Sequence, residues 1–418
     1  MLFEKSYIIF CEIILFNFYT ACASLDEFAG NRLGDTMHSR DEMDLLHLHI
    51  LFRHGDRTPI FDPINSEASY EKMWPSGHGQ LTDKGILQEF ELGRWLRYKY
   101  GYFIPNHYNA SDFHMRSTDI DRTLMSAQAV TAGLYYNSSS PLIPYGVAWR
   151  PVPVHTVSQK NDVLLSTASC PSLDVLRGLQ MYSDAAIAYE NEHRSLFDLL
   201  NKHLPNTIDR FNIDDVLDTA ICMRAHNFTM PDWFTEKLME ELMDVVAFYW
   251  NLQYASTTEI IRLEIGVFIN AVLEHITAIT DGRTASVMED HHLSAQHLLA
   301  YSAHDTDVTF LLAALGAFDR QLVEYSATVI LELLVPKPPA PRHNFHLALL
   351  YKRGYQDNVG EYLALAPCSD KPAHEGCPLD LVLNYLQPFV LKEEEFAAAC
   401  AAFSAKDEQT CNVPSTSC

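Results

Sequence analysis

Residues 45–59 read Leu-Leu-His-Leu-His-Ile-Leu-Phe-Arg-His-Gly-Asp-Arg-Thr-Pro, an apolar run that passes directly into a polar turn. The apolar half, residues 45–52, predicts a buried strand. The polar half follows the carboxyl end of that strand, and this is the edge at which open α/β sheets bind ligands. The stretch therefore predicts an α/β fold with a binding site at the edge of its sheet.

The polar half carries groups that bind and attack phosphate. Arg53 and Arg57 each offer a planar fork of donors that matches phosphate oxygens, and Gly55 lets the backbone come close. Two fixed cations lower the pKa of an imidazole between them, so His54 should be neutral and able to attack phosphorus. We therefore predict a phosphate site with His54 as nucleophile. The alternative is a surface turn with two solvated arginines and an incidental histidine.

Two later segments show the same change from apolar to polar residues. The predicted strand Phe113–Met115 leads into Arg116, and the predicted strand His297–Ala303 ends in His304 and Asp305. A helical pattern follows each turn, and repeated strand–turn–helix units indicate one shared sheet. The three turns should therefore contribute to one site.

Phosphoryl transfer through a covalent enzyme needs a nucleophile, cations for the phosphoryl oxygens and an acid for the leaving oxygen. The three turns contain a candidate for each part. They are His54 as nucleophile, Asp305 as general acid, and Arg53, Arg57, Arg116 and His304 as ligands of the phosphoryl oxygens.

Helical periodicity follows the first two turns. Thr82 is predicted to cap a helix that runs to about Tyr100, and Ser117 or Thr118 is predicted to cap the next helix. From residue 170 to 279 the sequence is helical and poor in strands, which indicates a separate helical lobe.

The chain therefore divides into four predicted parts. Residues 1–23 are a signal peptide, residues 42–169 and 280–400 form an α/β catalytic domain, residues 170–279 form the helical lobe, and residues 401–418 are a polar tail. The predicted fold is a mostly parallel sheet with helices on both faces and a helical second lobe. Two strands within residues 329–351 should form a hairpin.

The amino terminus indicates export. An apolar run, Ile8–Ala23, follows Lys5 and ends in Ala21-Cys22-Ala23, which fits a signal-peptide cleavage site. An uncleaved anchor would need a longer apolar span. We expect no later segment long and apolar enough to cross a bilayer, and the tail lacks the hydrophobic end of a lipid-anchored precursor. The prediction is a secreted protein without a membrane anchor.

Charge and sequons agree with this prediction. The formal net charge of −24 repels nucleic acid, so a phosphate site must be a local cationic pocket. Three sequons, at Asn109, Asn137 and Asn227, are candidate glycosylation sites in an exported chain.

The heptapeptide Arg53–Pro59 resembles the signature of the histidine acid phosphatases, a branch of the histidine phosphatase superfamily. Residues 79–85 resemble the segment that follows this signature, residues 116–127 resemble the second arginine block, and residues 301–305 resemble the His-Asp block. The resemblance spans roughly residues 45–400 and is closest to the animal prostatic and lysosomal type of acid phosphatase.

This resemblance implies a phosphoglycerate mutase-like fold and an acid phosphatase that uses neither a metal nor another cofactor. The six candidate residues occupy the family's catalytic positions. The implied substrates are small phosphate monoesters, with phosphoproteins or lysophospholipids as further candidates, and related enzymes suggest a homodimer. The lysosomal lumen is the alternative location. A phytase of the same family and a catalytically idle secreted binding glycoprotein are the alternative functions.

The resemblance also implies two disulfides, Cys170–Cys400 and Cys368–Cys377. Cys222 occupies the position of a third bridge, whose partner would lie near Thr328, and the chain has no cysteine there. Cys411 and Cys418 are left over, so a bridge from the tail and a free buried thiol both stay open.

His47 and His49 alternate along the first predicted strand and could ligate a metal ion. Buried structural histidines are the more frequent outcome of this pattern.

Overall fold

The computed structural model describes residues 43–65, 67–136, 138–165, 169–282, 297–338 and 344–402. The predicted signal peptide, the Asn137 sequon, Cys411 and Cys418 lie outside the described residues.

Eight strands form one sheet in the described part of the chain. In chain order they are β1 (Met43–Arg53), β2 (Phe113–Ser117), β3 (Val154–His155), β4 (Leu298–Ala303), β5 (Thr328–Pro336), β6 (His346–Lys352), β7 (Glu361–Leu363) and β8 (Cys377–Pro378). The order across the sheet is β3-β2-β4-β1-β5-β6-β7, and β8 pairs with β6.

The sheet is mixed. Strands β3, β2, β4 and β1 pair in parallel, whereas the pairs β1–β5, β5–β6, β6–β7 and β6–β8 are antiparallel. The predicted hairpin corresponds to β5 and β6. Because β1, β2 and β4 run in the same direction, their carboxyl ends lie along one edge, where a parallel sheet binds its ligands.

The helices lie on both faces of the sheet and in a separate group. In chain order they are α1 (Glu67–Met73), α2 (Asp83–Tyr100), α3 (Asp121–Leu134), α4 (Pro171–Met181), α5 (Asp184–Glu192), α6 (Arg194–His203), α7 (Ile213–Ala225), α8 (Glu236–Tyr254), α9 (Thr258–Thr280), α10 (Asp305–Ala314), α11 (Leu379–Leu386) and α12 (Glu393–Ala401).

Strand β1 lies in the middle of the sheet and separates two hydrophobic cores. Successive side chains of a strand point to opposite faces. Leu48, Ile50 and Phe52 accordingly face a core shared with α2 and α3, whereas Leu51 faces a core shared with α9 and α10. The predicted α/β class with helices on both faces is confirmed.

A third core belongs to the helical group. It is formed mainly by α6, α7 and α8 and contains Phe197, Val216 and Leu242, all of them buried. Helix α9, the last helix of the predicted lobe, instead packs in the core of the sheet.

Helix α9 is long and apolar enough to cross a membrane by length and composition. The prediction that no segment after the amino-terminal run meets this test was therefore wrong. Its most apolar window is 72% buried inside the protein. A helix that is apolar on all sides is expected in the core of a large domain.

The start of α2 is as predicted, because the Thr82 hydroxyl accepts a hydrogen bond from Gly85 N at 3.1 Å. The predicted cap of α3 was wrong. This helix begins at Asp121 after Ile120, and Ser117 is still part of β2.

The two implied disulfides, Cys170–Cys400 and Cys368–Cys377, are both present. The first joins the residue before α4 to α12, across 230 positions of sequence. Of the cysteines in the described ranges, Cys222 alone is free, and it is buried in α7.

Candidate active site

A cleft of about 1130 Å³ opens at the carboxyl edge of the parallel strands, between the sheet and the helical group. Its lining includes Arg53 at the end of β1, Asp218 of α7 and Phe248 of α8. Tyr325, from the loop before β5, completes this side of the cleft. Arg53 of the predicted signature turn therefore lines a cavity large enough for a phosphate ester.

The signature turn is held by close packing against α2. A Cβ atom on Gly55 would lie 2.5 Å from the Gly85 carbonyl oxygen, so this approach requires glycine. The backbone N–H of Asp56 donates to Gln88 Oε1 at 2.7 Å. The carboxylate of Asp56 lies 2.6 Å from His226 Nε2, which links the turn to the residue that follows α7.

His54 has the tautomer that a nucleophile needs. The residue is 2% exposed, and its Nδ1 lies 2.8 Å from the carbonyl oxygen of Gly55. Because a carbonyl oxygen can only accept, Nδ1 carries the proton and Nε2 keeps its lone pair.

The electrostatic surroundings keep two imidazoles neutral. Burial lowers the pKa of His54 well below its usual value, and Arg122, Arg53 and His304 lower it further. Burial, followed by Arg122, lowers the pKa of His304 to about 3. The two ring centroids lie 5.6 Å apart. The sequence predicted that the flanking arginines lower the pKa of His54, and both Arg53 and Arg57 do so.

The two arginines of the signature are fixed by contacts on both sides. Arg53 donates from Nη1 to the Val323 carbonyl oxygen at 2.5 Å, and its guanidinium lies 4.2 Å from the centroid of the Tyr325 ring. Arg57 Nη1 lies 2.8 Å from Asp218 Oδ2. Fixed guanidinium groups lose little conformational entropy when they bind an oxyanion.

Asp305 is ionised in this arrangement. Its Oδ2 lies 2.7 Å from Arg53 Nη2, and its Oδ1 accepts from Thr306 N at 2.9 Å. Burial alone would raise the pKa of Asp305, but Arg53, Arg57 and His304 lower it below its usual range. Asp305 can therefore become protonated only if a bound substrate adds negative charge nearby and raises its pKa again.

A third guanidinium reaches the site from α3. Arg122, the second residue of that helix, places Nη2 3.5 Å from His304 Nδ1. A guanidinium only donates, so His304 accepts at Nδ1 and donates from Nε2 to Thr118 Oγ1, 3.1 Å away. Burial, followed by repulsion from Arg57, lowers the pKa of Arg122 to about 10. It is still a cation at neutral pH.

The structure brings five of the six predicted residues together and places the guanidinium of Arg116 elsewhere. Strand β2 extends to Ser117, so Arg116 is a strand residue, paired with Tyr301 and only 1% exposed. Its Nη2 lies 2.7 Å from the buried carboxylate of Asp162, and its Nη1 donates to the Ser117 carbonyl. The side chain of Arg116 forms an ion pair with Asp162 and does not line the cleft.

Sequence reasoning missed three side chains that shape the site. Arg122 had a detectable signal, because it lies within the resembling block 116–127 and at the start of a helix. Tyr325 and Asp218 had none, because a loop and the helical group carry them to the signature from more than 150 positions away in sequence.

The chain is similar to known phosphatases over most of its length. The family model described as the histidine phosphatase superfamily (branch 2) matches residues 44–336. Prostatic acid phosphatase of Mus musculus is 31% identical over 368 residues, which cover 87% of this chain and 90% of that protein. Lysosomal acid phosphatase of Homo sapiens is 30% identical, with 86% of this chain and 81% of that protein covered.

Among solved structures, the phytase from Citrobacter braakii superimposes with a TM-score of 0.62. The superposition covers 85% of this chain and 99% of the phytase, at 16% sequence identity. At that identity the likeness concerns the fold alone.

Proposed function

The chain belongs to branch 2 of the histidine phosphatase superfamily, and from this premise we propose that it hydrolyses phosphate monoesters through a phosphohistidine on His54. The chain is a phosphatase by its relatives. The observation that carries the proposed mechanism is the free Nε2 of a buried, neutral His54 beside three guanidinium groups and a carboxylate.

In the first step, Nε2 of His54 attacks phosphorus and the bond from phosphorus to the ester oxygen breaks. Arg53, Arg57 and Arg122 bind the phosphoryl oxygens, whose charge spreads in the transition state. His304 stands beside Arg122 and orients it through the contact at Nδ1. In this proposal Arg122 takes the part that the sequence prediction gave to Arg116.

Asp305 serves as general acid for the leaving oxygen. The pKa of Asp305 is low while Arg53 pairs with it, but a bound phosphate draws Arg53 towards its own oxygens. The added negative charge then raises the pKa of Asp305, so that its carboxyl group is protonated before the ester bond breaks. In the second step Asp305 accepts a proton from water, the water oxygen bonds to phosphorus, and the phosphorus–nitrogen bond breaks to release phosphate and His54.

The cleft supports a general phosphomonoesterase more than a phytase. Among the described residues, its charged lining comprises Arg53, Lys84, Arg224, Arg320 and Arg353 with Asp218, Asp244, Asp319 and Glu324. Asp319 and Glu361 pair with Arg353, the latter at 3.5 Å. Because the four carboxylates nearly balance the five cations, this lining offers little net positive charge to a ligand with many phosphates, whereas one phosphate can be bound by the signature arginines alone.

We propose that the protein works in an exported compartment, either outside the cell or in the lysosomal lumen. Asn109 and Asn227, two of the three sequon asparagines, are exposed and accessible to glycosylation. The two disulfides agree with an oxidising compartment.

A rate comparison tests the proposed function. Initial rates of phosphate release should be measured for an aryl phosphate, a nucleotide, a phosphoprotein, a lysophospholipid and phytate, at acidic and at neutral pH. We expect monoesters to exceed phytate in kcat/KM by at least about tenfold, which corresponds to a difference of about 1.4 kcal/mol in transition-state binding. Preference for phytate would favour the phytase alternative, and inactivity towards every substrate would favour a binding glycoprotein.

A further inference from the structure

Three buried histidines meet on the opposite side of β1 from α2 and α3. His47 and His49 are two positions apart on this strand and therefore point to the same face, towards α9. Helix α9 contributes His275 from its inner side. All three residues are at most 2% exposed.

The three rings converge on one point. The centroids of His47 and His49 lie 4.6 Å apart, those of His47 and His275 also 4.6 Å, and those of His49 and His275 5.2 Å. One ring nitrogen from each residue lies within 4.8 Å of the other two. His275 Nδ1 and His49 Nε2 are only 3.2 Å apart.

These distances are close to those of a metal site. A zinc–imidazole bond is about 2.0–2.1 Å long, so two ligating nitrogens at a tetrahedral angle lie about 3.4 Å apart. The pair of His49 and His275 is already near this spacing. The candidate nitrogen of His47 lies within 4.8 Å of the other two, so an ion requires His47 to move closer to this pair.

The surroundings are apolar, which excludes competition from water. The strand neighbours of His49 are Leu299 in β4 and Leu331 in β5, and the neighbour of His47 in β5 is Leu333. All three leucines are buried. The other ring nitrogens of this pair, His49 Nδ1 and His275 Nε2, have no hydrogen-bond partner among the described residues, and they carry the ring protons when His49 Nε2 and His275 Nδ1 bind an ion.

The ligand set indicates the class of metal. The three ligands are imidazoles, and a set of imidazoles without carboxylates suits zinc and copper better than magnesium or calcium.

We propose that His47, His49 and His275 form a binding site for a transition-metal ion of the zinc and copper class. The site pins α9 to β1 and has a structural role. His54 lies five positions after His49, just beyond the end of β1, which is about 16 Å at the rise of a strand, so the ion takes no part in phosphoryl transfer. Because the rings are enclosed, the ion binds as the chain folds, and its binding energy adds to the stability of the fold.

The proposed metal site is independent of the phosphatase activity. Its test uses the full-length chain produced through a secretory pathway in medium that contains both zinc and copper, and passed over a chelating resin. Metal content is measured by mass spectrometry for the wild type, for His47→Phe and for His275→Leu. His114→Leu is the matched control, since His114 is also a buried strand histidine and stacks on His155 at 4.4 Å, outside the cluster.

We expect close to one ion per chain in the wild type and in His114→Leu, and its loss in the two cluster variants. X-ray absorption of the wild-type protein should show a first shell of nitrogen at about 2.0–2.1 Å, which decides the matter even if the variants do not fold. Folded wild-type protein without bound metal would overturn the proposal. So would a metal content that survives both cluster substitutions, or a first shell that contains sulfur.

Discussion

Arg122→Ala should slow turnover, whereas Arg116→Ala should reduce stability. Arg122 is one of three guanidinium groups around His54, and its Nη2 contacts His304 at 3.5 Å. Removal of one donor from a developing oxyanion typically costs ~10²–10³ in rate, or ~2.7–4 kcal/mol. Stability should not fall, because burial and repulsion from Arg57 both disfavour the charge of Arg122 in the folded state.

The same substitution should change the pH profile. After burial, Arg122 is the largest influence that lowers the pKa of His54. Without this cation the pKa of His54 rises, so the acidic limb of the profile of kcat/KM should move to higher pH. Arg122→Lys keeps the charge and should leave the limb in place, while its rate recovers only in part because the bidentate fork is missing.

Arg116→Ala is the matched control. It leaves Asp162 buried without the partner that lies 2.7 Å away, and such a loss typically costs about 3–5 kcal/mol. Urea unfolding should show this loss, and the folded fraction should turn over at close to the wild-type rate. A slow but stable Arg116→Ala protein, together with an Arg122→Ala protein of wild-type rate, would refute the reasoning.

Four further substitutions and one labelling experiment probe the site and other parts of the protein. Asp305→Asn should slow the burst of phosphorylation by ~10²–10⁴ for an alkyl phosphate and far less for a nitrophenyl phosphate, and equal losses would exclude Asp305 as the acid. The free energy of unfolding should fall as pH falls from 6.5 towards about 3, because His304 binds a proton in the unfolded state but not in the folded state. In chemical denaturation, His304→Gln should reduce this dependence of stability on pH. An unchanged dependence would contradict the prediction. Cys170→Ala should cost ~2–5 kcal/mol of stability through the lost disulfide, with Cys222→Ala as a comparison that removes no bridge. Thiol reagents should label Cys222 only after unfolding, because burial raises its pKa to about 12, and rapid labelling of the native protein would contradict this.

The position of the site could be predicted from the sequence because the polar turns directly follow apolar strands. His54 and Asp305 need no information beyond residues 45–59 and 297–305, since parallel strands bring their carboxyl ends to one edge. The antiparallel half of the sheet contributes little to this edge, and only its hairpin had a sequence signal.

The prediction that Arg116 binds phosphate was wrong because the predicted strand ended two residues before the end of β2. The apolar pattern ends at Met115, but β2 continues to Ser117 because Arg116 and Ser117 pair with Tyr301 and Ser302 in β4. Helix α3 begins at Asp121 and places Arg122 beside His304. Boundaries of this kind depend on pairing between distant strands, which the pattern of a single segment does not contain.

The partners of buried polar residues could not be predicted from the sequence either. Asp162, which pairs with Arg116, lies in an irregular segment without periodicity. His275 lies on a helix whose pattern predicts only a core, and its contact with His49 follows from how α9 packs on the sheet. Such pairs are set by tertiary packing, which overrides local preference.

The central claim is that His54 carries the phosphoryl group. The direct measurement is rapid acid-free quenching of turnover with a radiolabelled aryl phosphate, followed by peptide mapping under alkaline conditions that preserve phosphohistidine. We expect one labelled site, at Nε2 of His54, because Nδ1 is occupied by its hydrogen bond to the Gly55 carbonyl; His54→Ala should lose both the label and turnover. A label on His304 or on an acidic residue, or turnover that survives in His54→Ala, would contradict the account.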